Sequence, residues 1–324
     1  LYVFDRITGE PIWPIEERSV EIGDVPGEWY SPTQPFPTKP PAYDRQGVSE
    51  NDLVDFTPEL RAKAVEIASW HKMGPIFTPP VASNINGPLG TLMAPATGGG
   101  TNWPGGSYDP ETNILYVVSN SSVASLAVVP PYPGQSDMAY IQGSALTGPR
   151  TSGGAGSSAG GGRTEFNGSP LERPVSTRGT PPRNLLVDRL PLLKPPYGKL
   201  TAIDLRRGEI LWQVPNGDRM ARVEEHPDLK GIDLPPLGGG GRHPVLVTST
   251  LLIHGQDMGY GPNLIARDKA TGEELARIEL SGAPQSAPMS YAVDDRQYIA
   301  LGVNDAPNPK LVVFALPMTP DKSE

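Results

Sequence analysis

Apolar and polar residues alternate along this chain in short stretches, and three of those stretches share one layout. The first is Tyr2-Val3-Phe4-Asp5-Arg6-Ile7-Thr8-Gly9-Glu10-Pro11-Ile12-Trp13. The second runs from Lys199 through Asp204 and Gly208 to Trp212, and the third from Leu264 through Asp268 and Gly272 to Ala276. Aligned, they read small-x-Asp-x-x-x-Gly-x-x-x-Trp, with Ala276 at the tryptophan position of the third copy. Alternation before the Asp predicts a strand with one buried face. The Asp side chain can accept hydrogen bonds from backbone N–H groups of the turn, and Gly supplies a positive φ. A second short strand then carries the Trp. The stretch Tyr108–Val117 repeats this strand–turn–strand logic with Asn113 at the left-handed position. The last strands are expected at Gln297–Val303 and Leu311–Leu316.

The spacing between copies is wider than the roughly 40–50 residues of simple propeller blades. Asp5 and Asp204 lie so far apart that loops or a further blade must intervene. Glu16 to Tyr43 is Pro-rich and reads as extended. Thr57-Pro58-Glu59-Leu60 starts a short helix, with Thr57 as N-cap and Pro58 in the first position, ending near Trp70. Residues 143–182 form a Gly/Pro-rich insertion that reads as flexible, with Thr151–Gly162 almost entirely Gly, Ser and Ala. Met220 to Pro236 reads as a loop. The sequence opens at Leu1, with neither initiator Met nor signal peptide, directly on a strand pattern. The expectation is a processed or truncated chain.

Composition narrows the function classes. The 324 residues carry 37 Gly and 39 Pro, which fits many turns rather than long helices. Net charge is −9 without a basic cluster, which argues against nucleic acid as a partner. No apolar run approaches the roughly 18–20 residues of a membrane span, the longest being Val123–Val129. Cysteine is absent, so disulfides, thiolate metal sites and a Cys nucleophile are excluded.

The repeated unit resembles the tryptophan-docking motif of eight-bladed PQQ-dependent (quinoprotein) dehydrogenases. Ser31–Phe36 and Gly74–Pro80 are similar to segments of the membrane-bound glucose dehydrogenase-like branch. Gly99-Gly100-Thr101-Asn102-Trp103-Pro104-Gly105-Gly106 is similar to the segment that reaches the PQQ pocket. The resemblance implies an all-β propeller, of which residues 1–324 form the C-terminal part. It further implies oxidation of a sugar, polyol or other alcohol, with electrons passed to a ubiquinone-type acceptor. Asn102 and Trp103 are the implied PQQ neighbours, with Asn102 donating to a quinone oxygen and Trp103 closing the pocket edge. Gly100 and Thr101 would let the backbone approach, and Leu237 and Gly238 would offer a contact from a later blade. The catalytic base and the Ca²⁺ ligands are implied to lie upstream, so no base and no metal ligand are assigned here. A periplasmic location and a missing N-terminal propeller portion, with or without a membrane anchor, also follow from the resemblance alone.

Other patterns have plainer readings. Gly156-Ser157-Ser158-Ala159-Gly160 matches a nucleophile elbow but sits in low-complexity sequence. Gly98–Gly100 and Gly238–Gly241 lack the Gly-Lys-Ser/Thr of a phosphate loop. His71, His226, His243 and His254 show no helical metal spacing. Glu224-Glu225 and Asp294-Asp295 read as solvated turns, and Asn120 and Asn167 open glycosylation-type triplets. The rival to the enzyme reading is a non-catalytic propeller scaffold built from the same repeats. A partial propeller leaves an unpaired blade edge, so this piece alone is expected to be inactive and poorly stable.

Overall fold

The computed structural model describes the chain except residues 151–164, 167–168, 171–173, 218, 240, 242, 258–260 and 318–324. The Gly-rich stretch, the elbow-like Gly156–Gly160 and the Asn167 triplet therefore fall outside the described residues.

Each of the three Asp–Gly turns closes as its residues dictate. The Oδ1 atoms of Asp5, Asp204 and Asp268 each accept two backbone N–H bonds, from Ile7 and Thr8, Arg206 and Arg207, and Ala270 and Thr271. Gly9, Gly208 and Gly272 take φ of 76°, 66° and 76°. The second and third turns join the outer strands of two successive sheets. The first sheet is antiparallel in the order Gly106–Asp109, Ile114–Asn120, Gly198–Asp204, Glu209–Pro215. The Tyr108–Val117 hairpin and the second repeat thus belong to one sheet, with Asn113 at φ 60° between its inner strands. The second sheet runs Val245–Val247, Leu251–Gln256, Asn263–Asp268, Glu274–Glu279. In the third, Arg296–Asn304 pairs with Ala283–Pro284 and Met289–Val293 on one side and Lys310–Ala315 on the other.

Sheets stack through their alternating faces. Tyr116, Val118, Leu200 and Ala202 of the first meet Val245 and Leu252 of the second. Ile253 and Leu264 of the second meet Leu301 and Val303 of the third. Trp212 leans on Tyr116, with ring centroids 5.9 Å apart, and reaches the turn of the next sheet. A Cβ placed on Gly272 would lie 2.7 Å from the Trp212 ring, and one on Gly208 would lie 2.9 Å from the Trp13 ring. Each tryptophan is therefore seated on the turn glycine of the following copy. A buried ion pair adds to the first junction: Lys269 Nζ sits 2.9 Å from Asp109 Oδ2, and the Tyr116 hydroxyl donates to the Lys269 carbonyl.

The insertions build a second core beside the first sheet. The helix Pro58–Ala68 has its Thr57 hydroxyl accepting from Leu60 N, with Pro58 in the first turn. It buries Leu60, Ala64 and Ala68 against Leu190, Leu192, Leu193 and Leu237.

Four readings are refined. The first repeat shows only an isolated bridge, Phe4 to Pro11, where a strand pair was expected. The Pro-rich Glu16–Tyr43 stretch is a hairpin, Ile15–Ser19 against Thr33–Pro37, whose prolines take places that need no N–H donor. Met220–Pro236 holds two helical turns, Ala221–Glu224 and Pro227–Leu229, because Met220, Val223 and Leu229 enter the second core. Met289–Val293 is a strand the sequence reading missed, joined to the next through Asp294 and Asp295 at φ 48° and 60°.

Gly272→Ala should destabilise the protein by about 1–3 kcal/mol, since it combines left-handed strain with the clash on Trp212. Adding Trp212→Ala should cost less than the sum of the two single changes, because one contact is shared. Urea unfolding of the four proteins checks this, and strict additivity would contradict the seat.

A second expectation concerns acid. Burial raises the Asp109 carboxyl, but hydrogen bonds from Lys269, Thr112 and Glu111 N outweigh it and lower it from 3.8 to about 2. This contribution is complete above about pH 4 and is lost as pH falls from there toward 2. Asp109→Asn should flatten the melting temperature profile in that window, and parallel profiles would contradict the assignment.

Candidate functional site

The segment Gly99–Trp103 leads into the innermost strand of the first sheet, and local chemistry shapes it. Gly99 takes φ 73° and Asn102 φ 56°, a left-handed position that asparagine tolerates. The Asn102 Oδ1 accepts from Trp103 N at 2.8 Å, which fixes the side chain over its own turn. Its amide nitrogen makes no hydrogen bond among the described residues. Trp103 is 95% exposed. The segment therefore presents a spare N–H donor and a flat aromatic surface side by side.

Backbone hydrogen bonds bring the other expected residues to the same end of the first sheet. Asn120 N donates to the Gly100 carbonyl at 3.0 Å, Ser121 N to the Tyr197 carbonyl, and Tyr197 N to the Leu237 carbonyl. Gly238 lies so close that a Cβ there would sit 2.2 Å from the Gly198 carbonyl oxygen. The Leu237 side chain is buried in the second core, so its carbonyl already serves Tyr197 and its apolar part packs inward. Leu237 and Gly238 are buried, whereas Asn102 and Trp103 face solvent and Gly100 and Thr101 are half-buried.

Beside Gly100 opens a cavity of about 400 Å³, lined by Tyr43–Gly47, Pro75–Thr78, Leu92–Pro95 and Leu1. Two of the resembling segments meet here: Phe36 and Phe77 pack edge to face at 5.4 Å. The floor is polar and buried. Asp44 Oδ1 lies 2.8 Å from Lys199 Nζ and accepts from the Ser121 hydroxyl at 2.5 Å. Burial pushes the Asp44 carboxyl up, but the bonds from Lys199 and Ser121 hold it below the usual carboxylate range. Both side chains are nine-tenths buried, and removing one partner of such a pair costs about 3–5 kcal/mol. Arg45 donates to the Lys194 and Pro195 carbonyls and sits 3.5 Å from Asp52.

A second buried polar group lies in the next sheet. Arg267 Nε donates to His254 Nε2 at 3.2 Å, so His254 carries its proton on Nδ1, toward the Gly255 carbonyl. Burial first, then the Arg267 charge, lower His254 to about 4. His243 pairs with Asp257 at 3.0 Å. His71 and His226 bond backbone carbonyls.

Sequence reasoning missed Asp44, Lys199 and Arg45. Asp44 and Lys199 stand 155 residues apart, and no local motif links them.

Successive antiparallel sheets stacked face to face, the first two each closed by an Asp–Gly turn with a tryptophan seated on its glycine, define a β-propeller domain. The family model of the PQQ glucose/ethanol/alcohol dehydrogenase β-propeller domain matches residues 1–299, and the chain belongs to that family. It is 27% identical over 316 residues to the quinate/shikimate dehydrogenase (quinone) of Acinetobacter baylyi, covering 94% of this chain and 35% of that protein. It is 30% identical over 342 residues to the glycerol dehydrogenase large subunit of Gluconobacter thailandicus, covering 98% and 41%. With the quinoprotein glucose dehydrogenase of Escherichia coli it shares 26% over 330 residues, covering 93% and 34%. A solved quinohemoprotein alcohol dehydrogenase from Pseudomonas putida HK5 overlays with a TM-score of 0.43 at 17% identity, over 93% of this chain and 30% of that one. The chain thus spans about a third to two fifths of the length of these curated relatives.

Proposed function

We propose that this chain is the portion of a PQQ-dependent dehydrogenase that forms one wall of the cofactor pocket. The whole protein oxidises a CH–OH group of a sugar, polyol or other alcohol and passes the electrons to a quinone acceptor of the ubiquinone type. The observation that carries this reading is the Gly99–Trp103 segment, with its spare amide donor and exposed indole, within a chain that matches the family over residues 1–299. The names of the relatives support it: a quinate/shikimate dehydrogenase (quinone), a glycerol dehydrogenase and a quinoprotein glucose dehydrogenase.

Bound PQQ supplies the two-electron acceptor for the alcohol carbon. Asn102 donates a hydrogen bond at the cofactor's edge, and Trp103 shields that edge from water. Gly100 and Thr101 keep the backbone low enough for close approach. The general base and the ligands of a Ca²⁺ ion come from outside this sequence, and the working location is the periplasm. No helix among the described residues is long and apolar enough to cross a membrane.

Asn102→Gly tests the reading. Glycine keeps the left-handed backbone and removes only the amide. In the full-length protein, PQQ affinity should fall about tenfold with the circular dichroism spectrum unchanged, the cost of one lost hydrogen bond to a ligand. Unaltered affinity, or no PQQ binding by the unmodified protein, would overturn it.

The outer face of the third sheet bears on completeness. Met289, Tyr291, Val293, Leu311 and Val313 are exposed there, and Lys310–Ala315 is an edge strand that pairs only with Arg296–Asn304 among the described residues. In the whole protein a further blade covers this face. The isolated chain should therefore be inactive and self-associate, as read by light scattering. A stable monomer with PQQ-dependent activity would refute this.

A further inference from the structure

We propose that Asp44 is a positioning residue that fixes the Gly100–Trp103 segment against the first sheet, and with it the donor and indole of the cofactor wall. This rests on the PQQ reading of that segment, while the placement of Asp44 stands on its own geometry.

Bonds converge on Tyr43 and Asp44 from both sides. On the sheet side, Lys199 in the strand Gly198–Asp204 pairs with Asp44 Oδ1 at 2.8 Å. Ser121, directly after the strand Ile114–Asn120, donates to the same oxygen. Gln213 in the strand Glu209–Pro215 donates to the Tyr43 carbonyl at 2.8 Å. Three strands thus hold one dipeptide. On the site side, the Tyr43 hydroxyl is 2.9 Å from Thr101 Oγ1. The other oxygen of Asp44, Oδ2, is buried without a partner and would lie 3.7 Å from a Cβ on Gly100. Gly100 is itself tied to the sheet, through Asn120 N. Asp44 and Asn120–Ser121 therefore grip the segment from two directions.

The charge matters because Lys199 is buried. A neutral residue at position 44 leaves an ammonium in a closed site, and the cheapest relief is for the loop beside it to open and admit water. The loop that would open contains Gly100 and Thr101. The pair lies between this loop and the sheet, outside the three apolar clusters that hold the fold together.

The test uses the full-length protein with Asp44→Asn, Ser121→Ala and Thr101→Val, and Lys63→Gln as a control. Lys63, in the helix Pro58–Ala68, makes an exposed ion pair with Asp188. Two quantities are read: amide hydrogen exchange of peptides covering residues 99–105 without cofactor, and PQQ affinity by titration. Asp44→Asn should speed exchange in 99–105 at least tenfold and weaken PQQ by a similar factor. Ser121→Ala and Thr101→Val should each give about threefold, and the control none. If Asp44→Asn lowers the melting temperature while exchange and affinity match the unmodified protein, Asp44 serves the fold alone and the proposal falls. If Asp44→Asn does not fold, the two milder variants decide, and unchanged exchange in both overturns the proposal. If the unmodified protein binds no PQQ, the functional reading fails, and the exchange data alone still decide the role of Asp44.

Discussion

A tryptophan ring lying where a glycine has no side chain is the contact on which this architecture turns. Trp13 sits on Gly208 and Trp212 on Gly272, each ring crossing from one copy of the repeat to the next. The seat needs two properties at one residue: a positive φ to close the Asp-capped turn, and no Cβ in the way of the ring. Because the same glycine satisfies both, the turn and the junction form together. The third copy has Ala276 at the tryptophan position, and the third sheet shows no Asp–Gly turn among the described residues for a ring to sit on. The motif and its acceptor are missing together.

The junctions in turn set where the site lies. The Gly99–Trp103 segment leads into the inner edge of the stack, where the Ser107 hydroxyl donates to the Val245 carbonyl across the first two sheets. What makes that edge specific is polar and buried. Lys199 and Ser121 hold Asp44, Gln213 holds the Tyr43 carbonyl, and the Tyr43 hydroxyl meets Thr101. Apolar contacts build the stack, and a small charged cluster lies between it and one loop.

The sequence made the local devices legible. Asp–Gly turns, the Thr57-Pro58 helix start and the left-handed Asn113 each depend on residues within a few positions of one another, and each formed as read. The Gly99–Trp103 segment could be singled out in the same way, since it is a contiguous motif. Long-range pairing was not legible. Nothing near Tyr108–Val117 says that its sheet partner begins at Gly198, and nothing near Asp44 announces Lys199. The Met220–Pro236 stretch read as a loop because its charges and prolines mask the spacing of Met220, Val223 and Leu229, which matters only once a second core exists to receive them.

The first sheet is split in sequence: its inner half ends at Asn120 and its outer half starts at Gly198. During synthesis at about 5–20 residues per second, the strand Ile114–Asn120 leaves the ribosome several seconds before its partner exists. In that interval the backbone edge that Gly198–Asp204 will later cover is open to any passing strand. The helix Pro58–Ala68 waits as well, because Leu190, Leu192, Leu193 and Leu237 are made beside or after the partner strand, so the blade and the second core close in the same stretch of synthesis.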